Sequence, residues 1–164
     1  MEIIKYSNIG CREINQDCLA SLSFDHDKSI HIVADGIGGY DCGEIASKIV
    51  CESYIHGLVN NLSIDEVTKE VSKNIQTECR NLGVSKMGST VAAVVLNGLQ
   101  ASIFWAGDSR VYVFRDKHLL YQTEDHSLLN ELSRVRELSF DEKKRYKHII
   151  TRSIMGNADD KVDH

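Results

Sequence analysis

No stretch of this sequence stays apolar for the length needed to span a bilayer, and Met1-Glu2-Ile3-Ile4-Lys5 lacks the apolar core of a secretory signal. A cytosolic protein that leaves membranes alone is expected. There is no basic tract either. With a net charge of −5 and a pI near 5.8, no global field draws nucleic acid or an anionic surface, and neither is expected as a partner. Proline is absent altogether, and that absence points to no function. The five cysteines, Cys11, Cys18, Cys42, Cys51 and Cys79, are odd in number and contain no C-x-x-C pair, so they read as buried free thiols. Cys42 is the one candidate for reactivity, because it precedes an expected helix N-terminus that would stabilise a thiolate. No G-x-S-x-G elbow occurs, since Gly107-Asp108-Ser109-Arg110-Val111 lacks the last glycine, which removes the common serine-hydrolase signature. The seven histidines never pair at ligand spacing, which disfavours zinc.

What is present suffices for one core. At 164 residues and 42% hydrophobic content, the chain can bury about two-thirds of its unfolded surface in a single domain. Cys18, Ala20, Leu22 and Phe24 alternate with more polar residues, Asp25 to Lys28 turn the chain, and Ile30, Ile32 and Ala34 resume the alternation, which predicts a hairpin. Ile45, Ala46, Ile49, Val50 and Tyr54 predict a helix from about Gly43. Ser63 and Glu66 form a capping box ahead of Ile64, Val67, Val71, Ile75, Cys79 and Leu82, predicting a second. From Ser89 to Tyr121 the period is that of a β meander, with turns at Asn97-Gly98 and Gly107-Asp108-Ser109-Arg110 and with Trp105 expected in the core. Ser139 and Glu142 suggest another capping box within a solvated helix, and Asp159, Asp160 and Asp163 read as a solvated tail.

The chemistry-bearing residues cluster at strand ends. Asp35 closes the second hairpin strand and opens into Gly36-Ile37-Gly38-Gly39, a turn small enough to let a hard cation reach both the Asp35 oxygens and the Gly36 carbonyl. A plain strand-to-helix turn explains the same hexapeptide. A dinucleotide fingerprint does not, because Asp41 stands where its third glycine belongs. Asp17 begins the first strand of the hairpin, so antiparallel pairing brings it to the same sheet edge as Asp35, where two carboxylates can share metals. Arg12 offers a planar fork for a phosphate, and Asn15 and Gln16 can hydrogen-bond metal-bound water. Phosphoryl transfer accounts for all of them.

Six segments, Arg12-Glu13-Ile14-Asn15-Gln16-Asp17, Ala34-Asp35-Gly36-Ile37-Gly38-Gly39, Gly43-Glu44-Ile45-Ala46-Ser47, Gly88-Ser89-Thr90, Gly107-Asp108-Ser109-Arg110 and Thr123-x-Asp125-His126-Ser127, occur in an order that resembles the type 2C, or PPM, metal-dependent protein phosphatases. The likeness extends to Ile150-Thr151-Arg152-Ser153-Ile154-Met155-Gly156. It implies an α+β fold, an α/β/β/α sandwich of two mainly antiparallel sheets flanked by helices, here without the family's C-terminal strands. It also implies hydrolysis of phosphoserine or phosphothreonine by a water activated between two Mn²⁺ or Mg²⁺ ions, with no covalent phosphoenzyme. Carried over, Asp35 bridges the metals, the Gly36 carbonyl binds one, Asp17 holds metal-bound water, Arg12 grips the phosphate and Asp108 matches the aspartate of a weaker third site. A phosphorylated protein, such as the product of a Ser/Thr kinase, is the implied partner of a monomeric enzyme.

Departures matter as well. Ile37 stands where many eukaryotic members carry a histidine proposed as the acid for the leaving alcohol, and Gln16 replaces a glutamate found in some members. The family usually continues for about seventy more residues, through a Ser-Asp-Gly segment and an Asp-Asn pair that complete the first metal's ligands. Neither occurs in residues 1–164, so the domain is expected to be incomplete at its C-terminus. The alternative to an enzyme is therefore a phosphatase-like binding or regulatory module with impaired catalysis.

Overall fold

Alternation builds β1 (Asp17–Asp25), which pairs antiparallel with β2 (Lys28–Asp35) around the expected turn. The protein is described by a computed structural model covering residues 2–37 and 42–164; the predicted turn residues Gly38, Gly39 and Asp41 lie outside these described residues. β3 (Val91–Asn97) joins β2, and β4 (Gln100–Ala106) joins β3, giving a four-stranded antiparallel sheet in the order β1-β2-β3-β4. Ile30, Ile32, Ala34, Val91, Ala93 and Phe104 are buried, their side chains on the face covered by α1 (Gly43–Val59) and α2 (Ile64–Leu82). Burial of each large side chain there contributes about 2 kcal/mol.

The helices begin and end for local reasons. α2 starts at Ser63, whose hydroxyl accepts from the Glu66 amide while the Glu66 carboxylate accepts from the Ser63 amide, and it stops at Gly83 in a left-handed conformation. Its inward stripe of Val67, Val71 and Ile75 packs beside α1. The Tyr54 hydroxyl, on α1, hydrogen-bonds Thr68 at 2.7 Å, and its ring meets Phe104 of β4 at 4.7 Å, tying helix, helix and sheet together. The short helices α3 (Leu128–Ser133) and α4 (Phe140–Tyr146) bury no residue; α4 carries the expected Ser139–Glu142 box.

Four expectations need correction. The meander does not run on as one sheet: β5 (Tyr112–Arg115) and β6 (His118–Gln122) pair only with each other, because the Gly107 turn leads the chain away from β4. The cysteines are not uniformly buried; Cys51 and Cys79 are, but Cys11 is exposed. The acidic end is not a free tail. Asp163 exchanges both backbone hydrogen bonds with Trp105 at 2.9 Å, while Asp160 accepts from the Met155, Gly156 and Asn157 amides and from the Ser72 hydroxyl, pinning the segment to α2. Trp105 itself is half-buried on the outer sheet face rather than in the core.

Candidate active site

β1 and β2 end side by side, and their register sets Asp17 directly opposite Asp35. Like charges so placed repel unless something neutralises them. The backbone around Asp35 is held from β3: its amide donates to the Thr90 hydroxyl at 3.0 Å, and its carbonyl accepts from the Thr90 amide at 2.9 Å and the Ser89 hydroxyl at 3.0 Å. Asp17 is held from the other side, its amide donating to the Asn15 side-chain oxygen at 3.1 Å while the Asn15 amide group donates to Ser7. Gly36 donates to the Gln16 carbonyl at 3.0 Å, and a Cβ at Gly36 would lie 2.2 Å from the Gly43 carbonyl oxygen. Glycine is thus demanded by the close return of the chain into α1, with the Gln16 side chain against Gly43.

Asp17, Asp35, Gly36, Asp108, Arg12, Asn15 and Gln16 all line one cleft of about 260 Å³. Every site residue expected from the sequence is therefore brought together. Part of Asp35 faces solvent, yet its carboxyl is half-withdrawn from water. Burial first, then the charges of Asp17 and Asp108 and a hydrogen bond with Asp17, push it up to about 6, against the pull of Arg12. Two carboxyls close enough to share a proton are close enough to share a cation, so the donor set fits one hard divalent ion between Asp17 and Asp35. Among the described residues, however, no three carboxylate, histidine or cysteine side chains converge as a ligand set. The cleft is lined by carboxylates and by one guanidinium, groups of the chemistry that holds cations and phosphates, but among the described residues a full shell for two ions is not assembled.

Several contributors escaped residue-by-residue reading. Thr90 was visible only as part of Gly88-Ser89-Thr90, yet its hydroxyl is the hub between Asp35 and the Asp108 turn, meeting the Ser109 hydroxyl at 2.6 Å. Ile150 reaches the cleft from a distant segment and was visible only as the start of Ile150-Thr151-Arg152-Ser153-Ile154-Met155-Gly156, with no role assigned to it.

The family sequence model described as protein phosphatase 2C matches residues 6–157. This chain belongs to the protein phosphatase 2C family. It is 34% identical over 168 residues to a protein phosphatase 2C-type relative from Streptococcus pyogenes serotype M6, covering 94% of this chain and 68% of that one. Its fold is similar to that of the serine/threonine phosphatase Stp1 from Staphylococcus aureus, with a TM-score of 0.79 at 22% identity over 94% of this chain and 65% of Stp1. A similar likeness, with a TM-score of 0.73 at 24% identity over 93% of this chain and 66% of the other, links it to the catalytic domain of PstP, solved in complex with two manganese ions. The α+β architecture expected from the six motifs is thus the family's. The chain spans between about half and two-thirds of the length of the relatives it matches.

Proposed function

We propose that this protein is a metal-dependent Ser/Thr protein phosphatase that hydrolyses phosphoserine and phosphothreonine in proteins through a water activated by two metal ions. The observation that carries the reading is the Asp35 carboxyl, set opposite Asp17 and pushed up to about 6 within a cleft that also holds Arg12. A paired, partly desolvated carboxylate site is electrostatically costly to build, and a divalent cation removes that cost.

Asp35 and Asp17 would hold Mn²⁺ or Mg²⁺ with the Gly36 carbonyl, and Asp108 would add charge at the rim. The bound cations would supply Lewis-acid charge and an activated water for in-line attack on phosphorus. Arg12 binds and orients the phosphoryl oxygens through its fork of N–H donors. Asn15 and Gln16 act by holding the backbone of Asp17 and Gly36 in place. The leaving alkoxide is not protonated by Ile37, which has no proton to give.

A second reading, a phosphoprotein-binding module without turnover, is favoured by one observation: the described residues complete no three-ligand cluster. Hydrolysis of an aryl phosphate and a phosphothreonine peptide, with Mn²⁺, with chelator and with Asp35→Asn, separates the two. The enzyme reading expects Mn²⁺-dependent turnover that Asp35→Asn lowers by at least about a hundredfold. Phosphopeptide binding without turnover would leave the binding module.

A further inference from the structure

The Thr123-x-Asp125-His126-Ser127 segment has no part in the chemistry above, yet it grips the Asp108 turn at several points. The His126 amide donates to the Gly107 carbonyl at 2.9 Å, and the Gly107 amide donates to His126 Nδ1 at 3.1 Å. Arg110 makes a two-pronged pair with Asp125, each bond 2.5 Å, and the Val111 amide donates to the Thr123 hydroxyl at 3.0 Å. Gly107 sits at φ 109°, and a Cβ there would fall 2.5 Å from the Thr90 methyl, so the turn is pressed against Thr90 as it is bonded to His126. Thr90 in turn holds the Asp35 amide and the Ser109 hydroxyl.

The imidazole is fixed by its surroundings. An Nδ1 that accepts from an amide carries no proton, so a neutral ring has its proton on Nε2, where Asp163 Oδ2 accepts at 3.0 Å; Arg152 Nη1, also 3.0 Å from Nε2, then donates to Asp163 Oδ1 and not to the ring. Arg152 pairs with Asp163 through the other carboxylate oxygen, and against the upward push of burial the His126 hydrogen bond and the Arg152 charge hold Asp163 below the ordinary carboxylate range. Trp105 stacks on the ring at 5.9 Å and 11°, setting its plane. With a side chain only 11% exposed, His126 has little freedom to turn.

We propose that His126 is a positioning residue for the cleft: its neutral imidazole, oriented by Asp163, Arg152 and Trp105, holds the Gly107 amide and so fixes Asp108 and Ser109 against Thr90 and Asp35. It touches neither substrate nor metal, and its consequence for catalysis rests on the phosphatase reading of the cleft. The acceptor at Nδ1 is the working atom. Asparagine can place an oxygen near that atom, whereas glutamine reaches instead toward the Nε2 position, so the two amides separate the clamp on Gly107 from the link to Asp163.

The test compares the parent with His126→Asn, His126→Gln and His126→Ala, each checked for folding by circular dichroism. Amide hydrogen exchange at Gly107 in metal-free protein is the first readout. Exchange about tenfold faster is expected in the glutamine and alanine variants and near-parental protection in the asparagine variant. Long-range ¹H–¹⁵N spectra of the parent should show the His126 proton on Nε2. Mn²⁺ titration is the third readout, with the half-saturating concentration raised about tenfold by His126→Ala and restored by His126→Asn, while KM for an aryl phosphate at saturating Mn²⁺ stays unchanged. Unaltered Gly107 protection in a folded alanine variant, a proton on Nδ1, or an asparagine variant as poor as alanine overturns the proposal. If the parent shows no turnover, the phosphatase reading fails while the Gly107 pattern still decides the role of His126.

Discussion

At Asp35 the requirements of stability and of binding oppose each other. Its carboxyl lies at about 6 in the folded chain against an ordinary 3.8, so between those values the folded state holds more protons than the unfolded one. Stability of the metal-free protein therefore falls as pH rises through that window, and the cost is full above about pH 6. Asp35→Asn removes the cost: in chelator at pH 7.5 the variant should melt above the parent, with the gap closing toward pH 4.5, as read by thermal unfolding. Mn²⁺ should stabilise the parent and not the variant. Protons compete with the cation for the same oxygens, so Mn²⁺ affinity should weaken as pH drops below about 6, measured by calorimetry. Arg12→Ala removes the phosphate's fork and should lower kcat/KM for an aryl phosphate about ten- to hundredfold, with Mn²⁺ binding little changed. Asp17 and Asp35 were legible because antiparallel pairing fixes which strand ends meet, and Arg12 because its guanidinium stands five residues before Asp17. Thr90 and His126 act through backbone amides far away in sequence, and side-chain type alone does not announce such partners.

At the scale of elements, the same local signal has unequal consequences. Ser63 caps a helix whose inward face is buried, whereas Ser139 caps one that buries nothing. Ser63→Ala should cost about 1 kcal/mol and shift the urea midpoint of global unfolding, while Ser139→Ala should fray α4 and leave that midpoint unchanged. The boxes were readable from sequence, but their weight depends on what the helix covers. Gly36 shows the converse. Its need for glycine looks like turn flexibility in the sequence, but its φ is not in the left-handed region, and the constraint is the Gly43 backbone pressing on it. Gly36→Ala should therefore misplace the start of α1 and lower the thermal midpoint sharply, as a scanning calorimeter would show.

Across the whole molecule, one face of the four-stranded sheet is sealed by α1 and α2, while the β5–β6 ribbon is left open. Tyr112, Phe114, Leu119, Leu120 and Tyr121 are each more than 40% exposed on just two strands. Apolar clusters of this kind promote association. Light scattering of residues 1–164 should show concentration-dependent growth that Phe114→Ser with Leu120→Ser reduces, without lowering the midpoint, since neither side chain belongs to the core. The meander read as continuous because periodicity reports each strand's faces but not its neighbour, and the Gly107 turn decides that β5 leaves β4. The acidic end misled for a related reason: Asp160 and Asp163 look solvated in sequence, yet neighbouring amides and the Ser72 hydroxyl close on Asp160 while His126 and Arg152 close on Asp163. By itself the sequence determined the elements, their caps, the sheet edge where Asp17 meets Asp35, and the family, because these follow from local periodicity and ordered motifs. Only the tertiary structure decided which carboxyl is pushed toward protonation, which glycine is sterically required and how His126 reaches the Asp108 turn, because burial, close approach and long-range hydrogen bonds exist only once the chain has folded onto itself.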